Sequence, residues 1–397
     1  MNRSPALSRL PQPHTATPGV VVTGGQFPAA LAALRSLAAA GYEPAAVATA
    51  RMSYARFSRS TRRVALAPDV TESASRFVEA VAELCHPREP TIIIPGTEPE
   101  LVALVEWRHL LPRTVLGLPS PETLARVSSK LLLHEAATEV GLSAPPSSLV
   151  TRANWRNFDA ISYPAVAKPV RTVERRGDTL VSVSAAAVDD AAALGTFLEG
   201  LEAGEAIVQP LMRGPLRSLA GVMWDGTLHA PVQQVALSIF PEPCGGSAIA
   251  QTVPVDAAMV SQLETILNGL GWEGIVQLQS IRIDDEDFVI DLNPRIYGSL
   301  ALANAAGSSL APVWVNHLLG LPVSGSRART DVTYRNFETF LRSSGPLRLR
   351  SMTPGGAPEA SSIFTGADPL PLVASAARGL RKVVRGAAGG ARGRFTK

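Results

Sequence analysis

Cysteine is nearly absent from this sequence: Cys85 and Cys244 are the only two among 397 residues. Two thiols are too few for a disulfide framework and too few for a thiolate metal cage. The six histidines show no metal-ligand spacing, and none of them is near a candidate nucleophile. The sequence therefore gives no support to zinc or hydrolase chemistry.

Long hydrophobic runs are also lacking. No stretch of about 18 uninterrupted apolar residues occurs, which predicts that the chain does not span a membrane. Arg3 and Arg9 lie near the N-terminus, but the apolar segment that follows such residues in a secretion signal is missing. We therefore expect a cytoplasmic protein. Residues 1–18 contain Pro, Ser, Thr and Gln without periodicity, which predicts a disordered leader.

An excess of positive charge is lacking outside the C-terminal tail. The formal net charge is +3, and seven Lys and Arg residues with no acidic residue follow Asp368. The excess positive charge thus belongs to the tail, so we expect no nucleic-acid partner. Apolar residues make up 46% of the sequence, which is enough for buried cores in two or three domains.

The first third of the chain alternates strands and helices, which predicts a parallel sheet in an N-terminal α/β domain over residues 19–120. The turn Thr23-Gly24-Gly25 follows the first strand but lacks the three-glycine spacing of a dinucleotide site, so an oxidoreductase is not favoured. The predicted strands cover residues 20–22, 45–48, 91–95 and 115–118.

The chain from residue 121 onward has a different pattern, with shorter alternating strands that predict an α+β fold with antiparallel sheets. Predicted helices lie at residues 130–140, 189–202 and 256–270. Predicted strands lie at residues 181–184, 206–209, 218–223, 233–238, 275–283 and 288–292.

Two of these strands form a predicted hairpin around the acidic turn Asp284-Asp285-Glu286. In a hairpin centred on this turn, Gln279 and Asp291 face each other, and Asn293 points to the same side because side chains alternate along a strand. Magnesium prefers oxygen ligands from one or two carboxylates, completed by phosphate and water. The hairpin therefore predicts a site for a nucleotide-bound metal ion, with Arg295 just beyond it to stabilise a phosphoryl group.

The sequence resembles the ATP-grasp superfamily at several points. The hairpin with Gln279 and the run Asp291-Leu292-Asn293-Pro294-Arg295 is similar to the family's metal-binding strands, where Glu is more usual than Asp291. Lys130 at a helix start and Lys168 on a strand resemble its two nucleotide lysines. The resemblance implies a small lobe over residues 121–205, a large lobe with the metal site over 206–330, and a C-terminal extension over 331–397 that ends in the basic tail.

The resemblance also implies roles for these residues. Lys130 and Lys168 would bind the phosphates of ATP, Lys168 and Arg295 would act in catalysis, and Gln279, Asp291 and Asn293 would hold one or two Mg²⁺ ions, which Mn²⁺ can replace. Residues 206–211 resemble the hinge that binds adenine. Because Pro210 has no N–H, adenine would contact the Gln209 carbonyl and the amide of Leu211 or Met212. Residues 170–178 occupy the place of the family's flexible phosphate-covering loop.

Substrate contacts are predicted in three places. Thr97 and Glu98 follow a buried strand at the carboxyl edge of the parallel sheet, where ligands gather, although Thr97 is equally suited to cap a helix. A loop with Cys244 resembles the acyl-substrate loop of the carboligase branch. The remaining candidates are Gly245, Gly246, Ser247 and Ser299.

The function implied is an ATP-dependent ligase that activates a carboxylate as an acyl phosphate and joins it to an amine of an amino acid. Both substrates are small molecules, and a homodimer is expected. Two alternatives stay open: a nucleotide-binding module without turnover, and a carboxylase-like enzyme that uses bicarbonate.

Overall fold

The structure is a computed structural model that describes residues 18–157, 161–323, 325, 327–339 and 359–375. The predicted leader, except residue 18, and the seven basic residues of the tail lie outside these ranges. Within them, no helix has the length and apolar character needed to cross a bilayer.

The N-terminal domain contains a five-stranded parallel sheet in the order β3-β2-β1-β4-β5, which confirms the predicted α/β start. β3 was not predicted because its exposed, basic start lacks the apolar pattern of the other strands. The strands are β1 Gly19–Val22, β2 Ala45–Ala48, β3 Arg63–Leu66, β4 Thr91–Ile94 and β5 Val115–Leu116. The helices are α1 Pro28–Ala39, α2 Tyr54–Phe57, α3 Ala74–Ala82 and α4 Glu98–Glu106, and a 3-10 turn follows at Arg108–Leu110.

A small lobe follows, in which a four-stranded antiparallel sheet has the order β10-β7-β11-β6. One sheet face packs on α7. The other face carries Lys168 and Gln209, because Lys168 lies opposite Ile207 and residues two apart on a strand share a face. The helices are α5 Pro121–Val127, α6 Lys130–Glu139 and α7 Ala191–Gly200, with a 3-10 turn at Trp155–Asn157. The strands are β6 Ser148–Thr151, β7 Ala165–Pro169, β8 Val173–Arg176, β9 Thr179–Ser182, β10 Ala186–Val188 and β11 Glu205–Pro210.

A large lobe contains a seven-stranded sheet in the order β16-β15-β12-β13-β14-β17-β18, antiparallel except for the last pair. Its helices are α8 Ala257–Leu270, α9 Leu300–Ala305 and α10 Leu310–Leu318. Its strands are β12 Leu216–Trp224, β13 Thr227–Phe240, β14 Gly246–Val253, β15 Gly274–Ile283, β16 Glu286–Asn293, β17 Thr333–Arg335 and β18 Ala360–Ser361.

The segment expected to be a flexible phosphate cover is instead a β8–β9 hairpin docked on the N-terminal domain. The Asp178 carboxylate accepts hydrogen bonds from Ser73 Oγ at 2.6 Å and from Ser75 Oγ at 2.9 Å, next to the start of α3. Leu180 is fully buried in the core that α3 and α4 share. Residues 170–172 connect β7 to this hairpin beside Lys130, whose amide donates to the Val170 carbonyl at 3.2 Å.

The C-terminal segment ties the large lobe to the N-terminal domain. The Asp368 carboxylate accepts from Arg35 Nε at 3.0 Å, from Ser58 Oγ at 2.6 Å and from the Arg59 amide at 3.1 Å. Because this buried carboxylate has a donor on each side, its charge is compensated, and the segment fixes α1 and α2. These contacts hold α1 and α2 of the N-terminal domain in place against the C-terminal segment.

Candidate active site

The β15–β16 hairpin has the predicted opposition of Gln279 and Asp291. Asp284 and Asp285 both have positive φ angles, of 47° and 65°, as in a two-residue type I′ turn. The ladder shifts by one residue between Gln279 and Ser280, which leaves Ile290 as the extra residue of a bulge on β16. Without the bulge, this turn would place Gln279 opposite Ile290. The bulge shifts the register by one residue and brings Asp291 opposite Gln279, as predicted.

Asn293 lies opposite Gln277, a residue that the sequence did not single out. Its Nδ2 donates to Gln277 Oε1 at 3.2 Å, and its Oδ1 accepts from Arg295 Nη2 at 3.0 Å. Gln277 in turn donates to Ser218 Oγ at 3.2 Å. Alternation with Gln279 was the signal that could have found Gln277, since residues two apart share a face. The hairpin therefore presents a connected set of oxygen-bearing side chains.

The two predicted lysines converge on this hairpin from the small lobe. Lys130 begins α6, where Ser129 caps the helix; its Nζ donates to Thr172 Oγ1 at 2.8 Å and lies 3.6 Å from Asp291 Oδ1. Lys168 Nζ donates at 3.2 Å to the carbonyl of Ile290, which the bulge frees from the ladder. Each lysine is only 8% exposed. Two buried lysines thus lie next to Asp291 and its neighbour Ile290.

Burial dominates the electrostatics of Lys168. It lowers the pKa of this lysine to about 8, while Asp291 raises the pKa and the like charge of Lys130 lowers it further. A polyanion bound here would favour the charged form of both side chains. Lys130 and Lys168 are therefore better suited to contact with phosphate oxygens than to the buried, ligand-free site.

His134 lies one helical turn after Lys130 and was missed at the sequence level. Its Nδ1 is 3.2 Å from Ser147 Oγ, which accepts from Gln209 Nε2 at 2.9 Å, whereas its buried Nε2 has no hydrogen-bond partner among the described residues. Burial, and then Lys168, lower the pKa of His134 to about 4, so the imidazole is neutral at ordinary pH. The i, i+4 spacing from Lys130 was the available signal.

The predicted adenine hinge ends β11. Gln209 is buried, its side chain is used by Ser147, and it lies opposite Val166 in the ladder between β11 and β7. The Leu211 amide donates to the Pro164 carbonyl at 3.3 Å. Of the two amides predicted to contact adenine, that of Leu211 is therefore already used within the fold.

Thr97 and Glu98, at the start of α4, have separate roles. Thr97 Oγ1 accepts from the Glu100 amide at 3.3 Å, which confirms the helix-capping alternative for this residue. Glu98 is only 7% exposed. Burial raises the pKa of Glu98, Lys130 and Arg295 lower it, and Asp291 raises it. Glu98 therefore brings a carboxylate from the N-terminal domain to the lysine and arginine cluster.

The other predicted substrate residues have local structural roles. A Cβ on Gly245 would lie 2.1 Å from the Phe240 main chain, so only glycine fits. Gly246 and Ser247 begin β14, where they pair with Phe240 and Ile239. The buried Ser299 donates from Oγ to Gln234 Oε1 at 3.0 Å. Burial raises the pKa of the neighbouring Cys244 thiol and Lys168 lowers it, so this loop borders the Lys168 side of the site.

The donor set fits a magnesium ion shared with a nucleotide. Among the described residues, no group of three or more His, Cys, Asp and Glu side chains is placed to hold a metal alone. Asp291, Gln279 and Asn293 can each offer a side-chain oxygen, and one of them is a carboxylate, which matches the Mg²⁺ preference for a few protein ligands completed by phosphates.

Comparisons with known proteins agree with this geometry at the level of the fold. A scan of protein-family models and a search of curated protein sequences find no match. Solved structures do match. The N5-carboxyaminoimidazole synthetase from Staphylococcus aureus complexed with ADP has a TM-score of 0.57 at 13% identity, covering 78% of this chain and 79% of that one.

Two further structures show the same likeness. The L-amino acid ligase from Bacillus licheniformis has a TM-score of 0.53 at 16% identity, covering 77% of this chain and 75% of that one. The biotin carboxylase from Campylobacter jejuni, complexed with an ATP analogue, has a TM-score of 0.58 at 15% identity, with coverage of 79% and 74%. The chain thus has an α/β domain joined to a two-lobed α+β domain with antiparallel sheets. This is the ATP-grasp fold.

Proposed function

We propose that the protein is an ATP-dependent ligase that activates a carboxylate as an acyl phosphate and joins it to an amine. The observation that carries the proposal is the convergence of Lys130 and Lys168, both buried, on Asp291. Two desolvated cations beside Asp291 form a site suited to a bound polyanion. The ADP complex of the Staphylococcus aureus synthetase, which has the same fold, supports a nucleotide as that anion.

Each residue has a defined role in this proposal. Lys130 and Lys168 bind phosphates, and the Gln209 carbonyl and Met212 amide bind adenine. Asp291, Gln279 and Asn293 hold Mg²⁺, which neutralises charge on the phosphates when it is bound. Arg295, held by its bond to Asn293, stabilises the phosphoryl group in transfer.

The reaction then needs no covalent enzyme intermediate. A substrate carboxylate oxygen attacks the γ-phosphorus and ADP leaves; the amine nitrogen attacks the acyl carbon and phosphate leaves. Burial raises the pKa of the Cys244 thiol, which does not favour a thiolate nucleophile. The L-amino acid ligase among the similar structures supports an amino acid as the amine.

A bicarbonate-dependent carboxylation is the second candidate, favoured by the likeness to a biotin carboxylase and to N5-carboxyaminoimidazole synthetases. The test is to incubate the full chain with Mg²⁺, ATP and pooled amino acids, with or without bicarbonate, and to measure ADP and products by mass spectrometry. A new amide with ADP supports the ligase. A strict bicarbonate requirement supports the carboxylase, and nucleotide binding without ADP release leaves a binding module.

The proposal includes a cytoplasmic protein that forms a homodimer. Light scattering of the purified chain tests the second point, since a monomer mass would contradict it. Replacing Mg²⁺ by Mn²⁺ should preserve turnover, because both ions accept oxygen ligands in octahedral geometry.

A further inference from the structure

His134 is buried on the face of α6 that also carries Lys130, one helical turn away. The two side chains are 7% and 8% exposed, and a separation of four helical residues places them about 6 Å apart along the axis. The His134 ring also contacts Ser147 and Gln209, and Gln209 lies near the end of β11. His134 therefore lies between the lysine proposed to bind phosphate and the strand proposed to bind the base.

The Ser147 hydroxyl determines which ring nitrogen of His134 has the proton. A hydroxyl has one hydrogen, and Ser147 donates it to the Pro145 carbonyl at 2.8 Å. The two lone pairs of Ser147 Oγ then accept from Gln209 Nε2 at 2.9 Å and from His134 Nδ1 at 3.2 Å. Gln209 Nε2 is further from Nδ1, at 3.5 Å, and has its closer acceptor in Ser147. The network therefore places the proton on Nδ1.

The other ring nitrogen, Nε2, remains as an acceptor. A neutral imidazole with its proton on Nδ1 has a lone pair on Nε2 and no hydrogen to donate there. Burial, and then Lys168, lower the pKa of His134 to about 4, so the ring is neutral at pH 7. Nε2 is buried, and no described residue donates to it. Because buried acceptors in proteins almost always have a donor, we expect a ligand to supply this one.

Only some groups of ATP can supply that donor. Ionised phosphates present acceptor oxygens, so they do not suit the Nε2 lone pair. The amino group at position 6 of adenine is a donor, and so are the ribose hydroxyls. The His134 ring contacts Gln209 on the strand proposed to bind the base, so the amino group is the donor that fits this position.

We propose that His134 Nε2 accepts a hydrogen bond from the adenine amino group and thereby selects ATP over nucleotides with a carbonyl at that position. This role rests on the proposed ATP-dependent function and assigns a residue to its choice of nucleotide. Guanine and hypoxanthine have a carbonyl oxygen there, which would face the Nε2 lone pair without a hydrogen between them. A buried acceptor rejects such a base because two acceptors are left unpaired.

Nucleotide binding to the full chain, measured without turnover, tests this role. Calorimetry with Mg²⁺ gives the dissociation constants of ATP, inosine triphosphate and 2′,3′-dideoxy-ATP for the wild type and for His134→Leu. We expect the wild type to bind ATP about a hundredfold more tightly than inosine triphosphate. In His134→Leu we expect ATP and dideoxy-ATP to bind about fivefold to tenfold more weakly, and inosine triphosphate to bind no more weakly than before. The preference for ATP should therefore fall about tenfold.

The position of the proton is tested in the wild type itself. Nitrogen-15 NMR of the histidine side chains distinguishes a protonated from an unprotonated ring nitrogen, and the signals missing in His134→Leu assign those of His134. We expect Nδ1 to be protonated and Nε2 to be unprotonated in the nucleotide-free protein. ATP should shift the Nε2 signal as that nitrogen accepts a hydrogen bond, and inosine triphosphate should not. A packing residue would show no such difference between the two nucleotides.

Thr138→Val is the matched control. Thr138 Oγ1 donates to the main-chain carbonyl of His134 at 2.9 Å, so the change perturbs the same turn of α6 and leaves the hydrogen bond of the ring in place. We expect its preference for ATP to equal that of the wild type. Ser147→Ala keeps His134 but removes the acceptor that holds the proton on Nδ1, so the preference should fall in this variant as well.

Every outcome decides for or against the role. An unchanged preference in His134→Leu, an equal loss in Thr138→Val or a protonated Nε2 in the free protein would each overturn it. A loss in His134→Leu that affects ATP but not dideoxy-ATP would assign the donor to the ribose and would also overturn it. A wild type that binds no nucleotide contradicts the proposed function itself. Nucleotide binding with the expected preference but without amide formation contradicts the ligase and supports the role of His134.

Discussion

The two halves of the candidate site differ in how completely their side chains are satisfied. On α6 and β7, Lys130, Lys168 and His134 are buried together, and burial and like charge lower the pKa of Lys168 and of His134. On the hairpin, Asp291 and Asn293 are partly exposed, and Asn293 is already bonded to Gln277 and Arg295. The lysines and the histidine on α6 and β7 thus form an electrostatically unfavourable group without a ligand. The side chains of the hairpin are already ordered by hydrogen bonds before a ligand binds. Nucleotide binding should relieve the first half and complete the second.

Lys168→Met tests the group of buried lysines and histidine on α6 and β7. Removing the cation should lower the rate of ADP release by about a hundredfold to a thousandfold, since it removes a charge contact to the transferring phosphates. The same change should leave the unfolding temperature of the ligand-free protein unchanged or higher, because a desolvated charge is removed. Steady-state ADP release and thermal unfolding without nucleotide measure the two effects. A clear drop in unfolding temperature would show that the lysine stabilises the fold.

Asp291→Asn tests the hairpin side of the candidate site. The neutral amide keeps the size of the side chain but removes the only ionised ligand of the predicted set, so activity should fall about a hundredfold and the Mg²⁺ requirement should rise. Magnesium titrations of ADP release measure this. Asp291→Glu is the control, since it keeps the charge and should retain most activity. If Asp291→Asn leaves the magnesium dependence unaltered, the metal assignment is wrong.

The pH dependence of ATP affinity tests the state of Lys168. Its pKa of about 8 in the free protein means that the cation is lost as pH rises through that value. Bound phosphates raise the pKa, so ATP binding should take up protons, and the affinity should fall about tenfold for each pH unit above the free pKa. Calorimetry in buffers of different ionisation enthalpy measures the uptake. The Lys168→Met variant should lose this slope, and a slope that persists there would assign it to another group.

His134→Leu should have the smallest effect. The change removes the contact to Ser147 that supports Gln209 beneath the hinge, and we expect ATP to bind about fivefold to tenfold more weakly, as for one lost hydrogen bond. Equilibrium binding of ATP measures it, with kcat unchanged. The exposed neighbour Leu132, changed to Ala, is the control for α6 itself. A variant that binds ATP as the wild type does would leave His134 a packing residue.

The β15–β16 hairpin was predictable because alternation and an acidic turn are local features of the sequence. The opposition of Gln279 and Asp291 also depends on a bulge that the sequence does not signal. Gln277 follows the same alternation as Gln279, so its face of the strand was readable from the sequence. The side on which each residue lies could therefore be predicted, whereas the exact register could not.

Non-local contacts were not predictable in the same way. His134 is a single histidine among leucines, and its place depends on Gln209 and Ser147 from other elements. A flexible cover was expected over residues 170–178 because they occupy the place of that loop in the family that the sequence resembles. The order of the β8–β9 hairpin comes from Ser73 and Ser75, about a hundred residues earlier in the chain. The pattern of residues within the β8–β9 hairpin does not indicate that Ser73 and Ser75 are its partners.

The docked hairpin also has a consequence for how this protein could be divided or recombined. Arg175 stacks on Trp107 with 4.7 Å between the guanidinium and the ring centre, and it pairs with Glu106 at 3.2 Å, so β8 and α4 contact each other as parts of one body. A gene fusion that exchanged the first 120 residues would leave Leu180 without its core. The natural unit of exchange is therefore discontinuous: the N-terminal sheet with α3 and α4, together with the ten residues of the hairpin from Val173 to Ser182.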